Sequence, residues 1–243
     1  MTPTEQPGAD IAEAGAEARS RARLLYHLAL SPPSRKVRIL LKEKNLDFEL
    51  KIEPVWERRP AFLALNPACE VPVLVEPGGD VVADGSAISE FLEEAYPERS
   101  LLGITPQERA ETRRLVAWFD VKFSREVTQN LLDEKIMKRF LRLGEPNSAA
   151  VRAGSANLHT HLDYIAWLAE RRKYLAGDEL SLADIAAAAH LSSLDYLGDV
   201  PWDRHPGAKE WYARLKSRPS FRPLLADHIP GIPPPKHYAD LDF

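Results

Sequence analysis

The stretch at residues 24–41, LLYHLALSPPSRKVRILL, constrains this chain more than any other. Its apolar opening has the composition of a strand, Ser31-Pro32-Pro33-Ser34 breaks it, and Val37, Ile39, Leu40 and Leu41 then supply the buried positions of a helix. A strand, a turn and a helix are therefore expected, with Ser34 as the helix N-cap and the prolines keeping the chain out of helix before it. A helix N-terminus presents unpaired N–H groups and the positive end of a dipole, which favour an anion or a thiolate. Ser31 and Ser34 accordingly carry two readings: they only cap and turn the chain, or they line a site for such a group.

Downstream, residues 47–52 (DFELKI) alternate like a half-buried strand, residues 53–59 form a loop carrying Trp56, and residues 60–65 suggest one helical turn. Proline lacks the N–H that a strand interior needs, so Val71-Pro72 at the start of VPVLVE is expected to be a cis bond. Pro77-Gly78-Gly79-Asp80 turns that strand into VVA as a hairpin, and residues 87–96 follow as a helix with Ile88, Phe91, Leu92 and Ala95 on one face. Together these elements make a small α/β unit over residues 24–100.

Beyond the linker at 97–106, strand patterns vanish. Residues 107–143 read as a long helical run with Leu115, Trp118, Phe119, Val121, Phe123 and Val127 at helical spacings, and residues 151–173 as a second helix carrying Leu158, Leu162, Ile165, Trp167 and Leu168. Ser181 and Asp184 have the S-x-x-D spacing of a capping box ahead of an alanine-rich, buried helix at 185–197, and a last substantial helix spans 206–217. The fold class is thus α/β plus all-α, with a helical domain over 101–228, an extension at 1–23 expected to be disordered, and a proline-rich tail at 229–243. The tail supports two readings. It is a strap packed along the body, or a short motif that docks on a partner through Tyr238, Asp240, Leu241, Asp242 and Phe243.

A net charge of −4 offers no whole-chain attraction for nucleic acid or an anionic membrane surface. No apolar run is long enough to span a bilayer and no secretory signal is evident, so a cytoplasmic protein without membrane insertion is expected. The single cysteine, Cys69, excludes an intrachain disulfide and a cysteine metal cluster; beside the acidic Glu70 it reads as a small packed residue. The histidines show no metal-ligand spacing. Arg35, Lys36, Arg38, Lys42 and Lys44 read as a solvated helix face, whereas Lys135, Lys138, Arg139 and Arg142, mixed with Met137, Phe140 and Leu141, read as a docking surface for an acidic protein.

In order and spacing, SPPSRKVR, NPACEVPVL, DGSAI and GDELSLAD resemble the glutathione transferase superfamily over residues 24–225. That resemblance implies a thioredoxin-like N-terminal domain, a helical C-terminal domain and a homodimer. It also implies that Ser31 hydrogen-bonds the sulfur of glutathione and favours its thiolate, and that Val71, before the cis Pro72, pairs with the cysteinyl backbone. The family places a serine directly after the acid that is Asp84 here, to hold the γ-glutamyl carboxylate; this chain has Gly85 there and Ser86 one place late. Losing such a charge-assisted hydrogen bond costs roughly 1.5–3 kcal/mol, or about tenfold to a hundredfold in affinity.

A second resemblance, carried by SPPSRKVR, VWERRPAFLALNP, LVAWFDVKFSREVTQNLL and PPPKHYADLDF, is to glutathione-transferase-like division proteins of alphaproteobacteria. It implies a non-enzymatic homodimer without a cofactor. Such a protein binds FtsZ filaments at the division site and influences their shape and constriction, with the tail available for further division proteins. Two function classes follow: a regulator of FtsZ, or a Ser-type glutathione transferase acting through Ser31.

Overall fold

The computed structural model describes residues 22–241, so most of the N-terminal extension, with Asp242 and Phe243, lies outside it. Strands β1 (Leu24–His27), β2 (Glu49–Ile52), β3 (Val73–Val75) and β4 (Val81–Ala83) form one mixed sheet in the order β2-β1-β3-β4. β1 pairs parallel with β2 and antiparallel with β3, and the parallel pair requires a crossover, supplied by helix α1 (Pro32–Glu43). β3 and β4 close as a hairpin in which Gly79 adopts a φ of 92°, a left-handed conformation that glycine takes without strain. Helices α2 (Pro60–Leu65) and α3 (Gly85–Ala95) complete this thioredoxin-like half.

The second half is helical. α4 (Pro106–Ala117) begins at a capping box in which Glu108 N–H donates to Thr105 Oγ1 at 3.2 Å and Thr105 N–H to Glu108 Oε2 at 2.9 Å. It runs on through a π-type segment, Trp118–Met137, to the short α5 (Lys138–Leu141). α6 (Ser148–Ala169), α7 (Leu182–Tyr196) and α8 (Pro206–Lys216) follow. Every residue of α7 is buried, and its alanines let α1 of the first half approach closely. Asp184 anchors its start by accepting from the Ser181 N–H at 3.1 Å, the Ser181 hydroxyl at 2.7 Å, the Leu175 N–H at 2.8 Å and the Trp211 indole at 3.0 Å. One apolar core runs from Leu25, Val37 and Leu74 through Phe119 and Leu158 to Trp211, so the two halves share it.

Two apolar side chains on these helices face solvent, and one expectation is corrected. Val121 is 61% exposed, because Phe119, Phe123, Val127 and Leu131 step inward every fourth residue and Val121 lies half a turn away. Trp167 is 48% exposed, with the Arg171 guanidinium 4.3 Å from its ring centroid, while Ile165 and Leu168 face the core. The basic run on α1 is no solvated face: Arg35, Lys36 and Arg38 are almost wholly buried, and Lys44 nearly so. Arg35 and Arg38 both pair with Asp227, Lys36 with Asp120 and Lys44 with Glu93. Only Lys42 among the named cations remains substantially exposed, 3.7 Å from Asp47.

Candidate functional site

The turn after β1 is tighter than its prolines suggest. Ser31, not Ser34, is the N-cap of α1, and its Oγ accepts the Ser34 N–H at 3.3 Å. Pro32 and Pro33 occupy the first helical positions, where no intrahelical bond needs their missing N–H and their fixed φ suits the helix. Ser34 is buried, and its hydroxyl has no hydrogen-bond partner among the described residues.

Ser31 opens onto a cleft of about 440 Å³ between the two halves. On the N-terminal side the wall contains Leu28, Val55, Trp56, Cys69, Glu70 and Val71, and the Val71–Pro72 bond is cis. Cys69 is buried with a φ of 57° and its thiol donates to the Val55 carbonyl at 3.3 Å.

α3 begins earlier than its sequence suggests, at Gly85, with Asp84 as its N-cap at a φ of 76°. The Asp84 carboxylate accepts from the N–H groups of Ser86 and Ala87, at 2.7 and 3.1 Å, and so takes two of the donors that a bound anion would use. Gly85 lies against α1: a Cβ there would stand 3.0 Å from Pro33 Cβ. The small residue at 85 is therefore tied to the proline at 33. Ser86 is exposed in the first turn.

Residues on the opposite wall were invisible as a group in the sequence, because they come from the π-type segment and from α7. Thr128 Oγ1 lies 2.8 Å from His190 Nδ1, and His190 Nε2 lies 3.6 Å from Asp120 Oδ1, whose other oxygen meets Lys36. Burial alone would raise the Asp120 carboxyl, but His190 and Lys36 outweigh it and hold it below the ordinary carboxylate range. Asp133 lines the same wall, and burial, with Glu134 beside it, pushes its carboxyl up to about 6. Phe140 stacks on Trp56 across the cleft, with ring centroids 5.0 Å apart and planes 5° from parallel. Only the spacing of Thr128 to Leu132 along one helix hinted at a wall; the meeting with His190 is a product of packing. No cluster of His, Cys, Asp or Glu among the described residues could hold a metal ion, and no described helix is long and apolar enough to cross a membrane.

The second basic group lies at the rim. Lys135 pairs with Asp199 at 2.5 Å and Lys138 with Glu134 at 2.6 Å, whereas Arg139 and Arg142 are exposed beside Leu141 and Leu143, themselves 41% and 64% exposed. The tail lies back along the body. Tyr196 donates its hydroxyl to Ile232 O at 2.7 Å and accepts Ile229 N–H at 2.8 Å, while Lys216 donates to His237 O at 2.9 Å. Tyr238 is fully buried against Leu30, Leu132, Ile136 and Tyr196, and donates to Leu224 O at 3.0 Å. Its ring is therefore part of the core and not a docking group, while Asp240 is exposed and Leu241 half-buried.

Two family models match the chain: "Glutathione S-transferase, N-terminal domain" over residues 25–100 and "Glutathione S-transferase, C-terminal domain" over residues 135–219. FtsZ-localized protein A of Caulobacter vibrioides is 52% identical over 225 residues, 91% of this chain and 98% of that protein. Among solved structures, a glutathione S-transferase from Rhodospirillum rubrum F11 is 62% identical with a TM-score of 0.89, covering 91% of this chain and 100% of that one. FzlA from C. crescentus is 52% identical with a TM-score of 0.88 over the same shares. With both halves matched and relatives of this identity covered almost end to end, the chain belongs to the glutathione S-transferase family.

Proposed function

We propose that this protein is a non-catalytic member of its family that binds FtsZ filaments and influences their shape and constriction. The observation that carries this reading is the likeness to FtsZ-localized protein A at 52% identity over 98% of that protein's length. The α3 N-terminus supports the non-catalytic half: Asp84 already occupies the N–H groups of Ser86 and Ala87, and Gly85 supplies no hydroxyl for a γ-glutamyl carboxylate. In this reading the protein acts as a homodimer in the cytoplasm at the division site, without a cofactor.

Arg139 and Arg142, with Leu141 and Leu143, form the surface best suited to an acidic filament, because their guanidiniums are exposed while Lys135 and Lys138 are paired within the chain. Asp240, Leu241 and the terminal Asp242 and Phe243 are left for further division proteins. Co-sedimentation with polymerised FtsZ tests the proposal. Co-pelleting that weakens with salt, and weakens about tenfold or more in an Arg139→Glu, Arg142→Glu double variant, is expected. Absence of co-pelleting under polymerising conditions sinks the reading.

Ser31 at the head of α1 and Val71 before a cis proline, both on one cleft, favour a second reading: a Ser-type glutathione transferase. Retention on immobilised glutathione, with transferase activity lost in Ser31→Ala, would establish it in place of the first.

A further inference from the structure

We propose that the cleft between the two halves binds an organic cation, an amine carried on an aryl or alkyl body. The proposal stands apart from the filament reading and rests on the cleft's own charge and shape. At about 440 Å³ the cleft is of the size that encloses a small molecule, and its wall is mainly apolar, with Leu28, Leu132 and Ile136 contributing.

Among the described residues the only formal charges on that wall are carboxylates, Glu70 from the N-terminal half and Asp133 from the helical half, and besides two histidines they bring no basic side chain to the lining. The lysines nearest Asp133 in sequence are committed elsewhere, Lys135 to Asp199 and Lys138 to Glu134. Among the described residues the Asp133 carboxylate makes no hydrogen bond and no ion pair, so nothing offsets the burial that, with Glu134 beside it, raises its pKa. A carboxylate left unpaired in an apolar wall is costly, and a bound ammonium group removes that cost. Trp56 and Phe140, stacked on the same cleft, add aromatic surface that attracts a cation as well as an apolar body.

The same charges work against the family's ordinary ligand. Glutathione brings two carboxylates into a cleft whose own charges are negative, and two of the α3 N–H groups that could receive one, those of Ser86 and Ala87, are held by Asp84.

Three ligands of nearly one shape separate the charge from the apolar body: phenylbutylamine, phenylbutanol and phenylbutyrate. Their binding is measured by calorimetry at about pH 8, where Asp133 is ionised. The amine is expected to bind about tenfold or more tightly than the alcohol, with the acid weakest. In Asp133→Asn the alcohol should bind as before, which shows the cleft intact, while the advantage of the amine shrinks severalfold. Glu70→Gln, at an exposed position, gives a smaller loss of the same kind and serves if the Asp133 variant does not fold. Alcohol or acid binding as tightly as the amine, an unchanged amine advantage in both variants, or no binding of any of the three at millimolar concentration overturns the proposal.

Discussion

His27 shows how one buried side chain ties stability to pH. It ends β1 at 4% exposure, its Nδ1 has no hydrogen-bond partner among the described residues, and burial, followed by the charge of Arg38, pushes its pKa down from 6.5 to about 4. The folded chain therefore resists a proton that the unfolded chain accepts. The stability of the neutral form is fully present above pH 6.5 and is lost as the pH falls through about 4, a change of about 3 kcal/mol. Denaturant unfolding across that range should lose this much more stability in the native chain than in His27→Asn; equal acid sensitivity of the two would remove His27 as the cause. At this scale the sequence was only partly legible. The S-x-x-D spacing announced the bond between Asp184 and Ser181, because a capping box is closed within four residues. Nothing local announced that Arg35, Lys36 and Arg38 are buried, since their partners Asp227 and Asp120 lie far along the chain.

At the scale of elements, the contact between α1 and α3 decides how much of the family's ligand site survives. Gly85 permits α3 to lie on Pro33, and a Cβ at 3.0 Å from the rigid proline ring forces the helices apart. Gly85→Ser, which restores the family's residue, should cost about 1–3 kcal/mol and lower the thermal midpoint. Unchanged or raised stability would show that Pro33 yields freely. The strands, the hairpin and the helices of both halves were legible as patterns, because periodicities of two and 3.6 residues report which side chains share a face. Those patterns did not report which face meets a partner at Val121 or Trp167, where the helix turns its apolar residue to solvent.

Across the whole molecule, Asp227 works as a clasp between the halves. Its carboxylate meets Arg38 at 2.8 and 3.0 Å and Arg35 at 3.2 Å, with both arginines buried on α1 and Asp227 just beyond the helical turn Arg222–Ala226 of the C-terminal half. Asp227→Ala leaves two buried cations without their carboxylate and should destabilise the protein by about 3–5 kcal/mol in urea unfolding. A loss no larger than that of an exposed charge would contradict the clasp. The sequence by itself determined the order of elements, the turn at Ser31, the cis proline at 72 and the helical second half, since each depends on residues within a turn or two of one another. Only the tertiary structure decided that the cations of α1 are internal, that Tyr238 belongs to the core, and that Asp133 and Glu70 face one cleft. The physical reason is that burial and charge pairing are set by whichever surface arrives from elsewhere in the chain, and a local pattern carries no record of that arrival.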